Sequence, residues 1–74
     1  MKVTTQPLSV KIREARDAAG LTQEDLAREI GVTLRAVQAW ELTDRAPRSK
    51  YVRALARVTD RPVEFFIPEE EEAA

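Results

Sequence analysis

Apolar positions recur every three to four residues along this chain, in short blocks separated by Gly and Pro, and that period predicts helices throughout. Ile12, Ala15 and Ala19 share one face of a first helix over about 10–19, with Arg13, Glu14 and Asp17 on the other. Pro7 disfavours helix before it, Ser9 is placed to cap, and Gly20 marks the end. A second helix over about 23–30 turns Leu26, Ala27 and Ile30 inward. Thr22 is its expected N-cap, and the acids Glu24 and Asp25 suit the positive end of the helix dipole. After Gly31 and Val32, Thr33 is set to cap a third helix over 34–42, with Val37 and Trp40 inward and Arg35, Gln38 and Ala39 outward. Residues 43–47 read as a loop. A fourth helix over about 49–59 buries Val52, Leu55, Ala56 and Val58, and Pro62 opens a short fifth through Phe66. No strand alternation and no internal repeat interrupts the pattern. The expected fold is all-α, a compact bundle of five short helices, with an N-terminal arm at 1–8, one domain at 9–68 and an acidic tail at 69–74.

Composition narrows what such a bundle can do. With 74 residues there is material for one domain and no room for a separate ligand-sensing one, so no small-molecule ligand is expected. Cys and His are both absent. That excludes disulfides and thiolate metal sites and removes the commonest general base, so no metal, no cofactor and no enzymatic activity are expected. No apolar run is long enough to span a membrane, and residues 1–7 hold no apolar signal core, which points to the cytoplasm. The net charge is −1, but four of the 13 acidic residues are the consecutive Glu69, Glu70, Glu71 and Glu72. Without them 12 basic residues face 9 acidic ones, a mildly basic body of +3 with an acidic tail. The tail reads either as a solvated end or as a mimic of DNA phosphates.

The informative stretch is 23–40. Two short helices joined by a three-residue turn holding Gly31 form a tight helix-turn-helix crossing. Gly31 can take positive φ without a Cβ penalty, Ala27 is small where the axes approach, and Leu26, Ile30, Val37 and Trp40 supply an apolar seam. Leu34, Arg35, Gln38 and Ala39 then have no interior role. The run Leu21-Thr22-Gln23-Glu24-Asp25-Leu26-Ala27-Arg28-Glu29-Ile30-Gly31-Val32-Thr33 resembles the phage repressor and Cro (XRE-like) helix-turn-helix family. So does Val37-Gln38-Ala39-Trp40-Glu41, with Pro47 following at the family's spacing.

The resemblance implies a lambda-repressor-like DNA-binding domain. It casts Thr33, Leu34, Arg35, Gln38 and Ala39 as the base-facing side of a recognition helix. Arg35 is suited to guanine, Gln38 to adenine, and Leu34 and Ala39 to a thymine methyl. Thr22, Gln23, Arg45 and Arg48 are implied phosphate contacts, and Arg16 and Glu41 an ion pair joining the first helix to the end of the third. Thr43 stands where the family often has Gly, which implies a less tightly turned helix end. The expected function is a sequence-specific regulator, a repressor, bound to a palindromic operator in double-stranded DNA as a homodimer, with the Phe65 and Phe66 pair at the dimer interface; adjacent helical residues point about 100° apart, so one of the two rings is expected to be buried and the other to line the interface. The alternative is a protein-interaction module or antitoxin of the same fold with little DNA affinity of its own.

Overall fold

The computed structural model describes residues 6–43 and 45–67. Four α-helices follow in order: α1 (Leu8–Ala18), α2 (Gln23–Ile30), α3 (Leu34–Leu42) and α4 (Ser49–Thr59). A 3₁₀ turn (Val63–Phe66) closes the chain. The fifth helix expected from the sequence is only this turn, because four residues between Pro62 and Ile67 leave no length for an α-helical ladder. Residues 1–5 of the arm expected at 1–8, the loop residue Asp44, and 68–74 with the acidic tail lie outside the described residues.

Local chemistry sets most boundaries. α2 begins in a capping box: Thr22 Oγ1 accepts from the Asp25 amide at 3.0 Å, and the Thr22 amide donates to Asp25 Oδ2 at 3.0 Å. α3 starts likewise on Thr33, whose Oγ1 accepts from the Ala36 amide at 3.1 Å. Between them Gly31 adopts φ +88°, the left-handed conformation that glycine reaches without strain. α1 departs from expectation. It starts at Leu8, not after Ser9, and the cap position is Pro7. Pro7 presets φ at −59°, has no N–H to leave unpaired, and its carbonyl accepts from Val10 and Lys11 at 3.0 and 3.2 Å. Leu8 thereby joins the helix and packs on the core instead of belonging to an arm. Ala19, expected inward, lies past the last helical residue and is exposed.

α3 ends without a glycine. Thr43 keeps extended backbone, and its hydroxyl does the capping, donating to the Ala39 carbonyl at 2.6 Å while accepting from the Arg45 amide at 3.1 Å. At the end of α4 the left-handed position falls to Asp60 (φ +58°), and the Arg61 amide returns to the Ala56 carbonyl at 2.9 Å.

The core takes residues from every element: Ile12 and Ala15 from α1, Leu26 and Ala27 from α2, Val37 and Trp40 from α3, Leu55 and Ala56 from α4, and Phe66 from the closing turn. Each large apolar side chain removed from water contributes on the order of 1.5–3 kcal/mol, so these contacts fix the helix angles. α1 and α2 both pack on α3, while α4 backs α2 and the closing turn. One face of α3 is thus held from behind. Of the phenylalanine pair, Phe66 takes the buried place: it is 2% exposed and belongs to the core. Phe65 keeps a half-buried ring, edge-on to Phe66 at 5.0 Å, with Lys11 Nζ 5.9 Å and the Arg61 guanidinium 4.9 Å from its centroid.

Candidate nucleic-acid interface

Successive residues of an α-helix are turned by about 100°, so the face of α3 opposite Val37, Trp40 and Glu41 is centred on Arg35, Ala39 and Leu42. Arg35 is exposed, and Ala39 and Gln38 are half-buried. Leu42 is 71% exposed, the one large apolar side chain so exposed among the described residues. Leu42 was not among the expected contact residues, although its position seven residues after Arg35 places it on the same stripe.

An open concavity of about 860 Å³ runs along the α4 side of α3. The α2–α3 turn (Gly31, Val32, Thr33), the flank of α3 (Arg35, Ala36, Ala39), the following loop (Thr43, Arg45, Arg48) and Tyr51 of α4 form its walls. Three arginines reach this groove, Arg35 from α3 and Arg45 and Arg48 from the loop after it, and none of its described lining residues is acidic. Among the described residues none of the three forms an ion pair. Tyr51 is placed by Trp40, ring centroids 5.8 Å apart, and carries Lys50 Nζ over its ring at 5.1 Å. Neither Ala36 nor Tyr51 was singled out from the sequence. Helical period could have found Ala36, one turn before Ala39's flank, but the Trp40–Tyr51 contact spans a loop and has no local signal.

Thr33, Arg35, Ala39, Arg45 and Arg48 are brought together in this groove. Leu34 and Gln38 lie on the other shoulder of α3, outside it. Thr22 and Gln23 are elsewhere, at the start of α2. Gln23 differs from the expectation that its side chain is free for phosphate: Gln23 Nε2 donates to Glu41 Oε1 at 3.0 Å.

That bond belongs to a polar network behind the exposed face. Arg16 Nε donates to Glu41 Oε2 at 2.6 Å and Nη2 to Oε1 at 3.1 Å, a two-pronged pair of the kind planar guanidinium and carboxylate groups form. Arg16 Nη1 also donates to the Leu21 carbonyl at 2.9 Å and lies 3.3 Å from Asp17. The Glu41 side chain is 1% exposed and the Arg16 side chain 11%. The hydrogen bond to Glu41 raises the Arg16 pKa above its ordinary value, against the opposing effect of burial, with the nearby Glu41 and Asp17 charges adding to the rise. Arg16 therefore stays charged at any working pH, and the network ties α1, the start of α2 and the end of α3 into one rigid corner. No buried side-chain N or O among the described residues lacks a partner.

The arrangement suits a polyanion. It presents an exposed helix face of width compatible with the major groove of DNA, three cations at its edge, and two helix starts nearby. Among the described residues no group of metal-ligating side chains gathers, and no helix is long and apolar enough to cross a membrane. No curated protein matches the chain. A protein-family model described as helix-turn-helix matches residues 12–66, which covers all four helices apart from the first turn of α1. The chain belongs to the XRE-type helix-turn-helix family, a family of DNA-binding transcription regulators.

Proposed function

We propose that this chain is a sequence-specific transcriptional repressor that lays α3 in the major groove of an operator. The observation that carries this reading is the triad Arg35, Arg45 and Arg48, without ion pairs among the described residues, along one groove beside the exposed face of α3 whose described lining holds no acid. In this reading Arg35, Thr33, Leu34, Gln38 and Ala39 address base edges, and Arg35 can be bidentate to guanine. Arg45 and Arg48 take phosphates, with the free amides at the start of α4 beside them. Thr22 and Gln23 approach the backbone at the start of α2, where Gln23 releases its side-chain amide nitrogen from Glu41 to a phosphate.

One recognition helix covers only a few base pairs, so a two-fold dimer on a palindrome supplies the missing specificity. The closing turn offers the surface: Phe65 is half-buried, and Val63, Phe66 and Ile67 of the same turn line a concavity of about 400 Å³ with Leu8 and Val52, at whose wall Ser49 and Arg53 also stand. A second reading, a protein-interaction module of the same fold, draws on the exposed Leu42. Selection from a random duplex library at roughly 100 mM salt separates the two. We expect an enriched palindrome whose half-site centres lie about 10 base pairs apart. Weak retention without enrichment would overturn the repressor reading and favour a protein partner.

A further inference from the structure

Alone among the four α-helices, α4 carries no acidic residue. Its three cations, Lys50, Arg53 and Arg57, are all exposed. They stand three and four residues apart, so they share one outer stripe and repel one another. Among the described residues none of them forms an ion pair. Arg53 also reaches the concavity between α4 and the closing turn, which Leu8, Val52, Val63, Phe66 and Ile67 make largely apolar. The turn adds the opposite sign. Glu64 is its one charged residue, and it is exposed and likewise without an ion pair among the described residues. Residues three apart eclipse in a 3₁₀ turn, so Val63 and Phe66 face the concavity together and Glu64 is turned about 120° away from them.

Both signs of charge beside one apolar hollow are what a two-fold contact requires. In such an interface a patch meets its own copy: where one residue touches a second across the axis, the second touches the first. A patch of cations alone would repel itself. An acidic partner would serve Arg53 and leave Glu64 facing its like, and a basic partner would do the reverse. We infer that the occupant of this concavity is a second copy of the chain, with Arg53 of each copy paired to Glu64 of the other across the two-fold. The inference rests on the dimer proposed above and names the contact that sets its orientation; it does not depend on what α3 reads. Apolar burial supplies attraction without direction. The ion pairs, each occurring twice, select one arrangement of the two copies, because the alternatives bring like charges together.

Sedimentation of the whole chain over a range of protein concentration, without DNA, tests this. The native chain is expected to form a dimer. Arg53→Glu sets like charges against each other twice, as does Glu64→Arg, and each should weaken the dimer roughly tenfold. Both changes on one chain restore the two pairs with their signs exchanged and leave the net charge as it was, so this double variant should dimerise within about threefold of the native chain. An equimolar mixture of the two single variants should form the mixed dimer in preference to either dimer of like copies. The control joins Glu64→Arg to Arg57→Glu, the same net change placed on the stripe but outside the concavity, and should not restore association. Thermal melting followed by circular dichroism checks that each variant is folded. A double variant as weak as the single ones, or a control that restores equally, would overturn the pairing. A native chain that stays monomeric at every concentration would overturn the second copy as occupant, while the base reading of α3 stands or falls on its own selection experiment.

Discussion

Burying the Glu41 carboxylate costs several kcal/mol of solvation, which is offset only while its donors stay in place: Arg16 through two nitrogens and Gln23 through one. Glu41→Ala leaves the Arg16 guanidinium largely buried without its main counter-charge, and should cost about 3–5 kcal/mol of unfolding free energy in urea titration. Replacing both partners together, Arg16→Met with Glu41→Leu, should recover most of that loss; a single-variant cost below about 1 kcal/mol would contradict the account. The pair is an example of what local pattern cannot show. Arg16 and Glu41 stand 25 residues apart on different helices, no periodicity links them, and only the family resemblance anticipated them. Gln23's place in the network went unread because its bond to Glu41 is equally non-local, whereas Leu42 on the Arg35 stripe was legible from helical period alone.

At the scale of elements, the caps and the turn carry the local order. The Thr22 backbone amide, then the Thr22 hydroxyl network and Arg28, hold the Asp25 carboxyl below its ordinary value. A lowered folded-state value stabilises above the ordinary carboxylate range and is lost as pH falls through it, so the first turn of α2 should loosen below about pH 4. Amide exchange of Leu26 and Ala27 followed against pH checks this, and Asp25→Asn should abolish that acid-dependent component. Gly31→Ala isolates backbone strain, because an added Cβ meets nothing within 4 Å while φ stays at +88°. It should cost about 1–2 kcal/mol, lowering Tm by roughly 4–15 °C; an unchanged Tm would mean that the turn relaxes at no cost. These short-range features were readable because they depend on adjacent residues: Thr22, Thr33 and Gly31 lie where the sequence puts them. The start of α1 was misread for the complementary reason. Ser9 has the better capping side chain, but burying Leu8 against the core and the preset φ of Pro7 outweigh it. The closing element lies where Pro62 and Phe66 bound it in the sequence, and only its type, 3₁₀ and not α, went unread, because four residues leave no length for an α-helical ladder.

At the scale of the whole molecule, the charge of −1 is a poor guide to partners, because its distribution is uneven: a body of +3, a groove with three arginines and no acid among its described lining residues, and four glutamates outside the described residues. The field that a polyanion meets is local, within a screening length of about 10 Å, so groove composition outweighs the total. The four helices were legible because each buries a regular stripe against the others. The groove was only half legible, since its walls come from α3, a loop and α4. In the proposed function the outer face of α3 reads base sequence. The most direct test measures the affinity of the native chain and of Arg35→Ala for the selected operator and for a set of duplexes each changed at one base pair. The expected result is a loss of about 1–3 kcal/mol on the preferred duplex, with discrimination relaxed at one position and retained at the others. Equal weakening on every duplex would contradict it and reduce Arg35 to a phosphate contact.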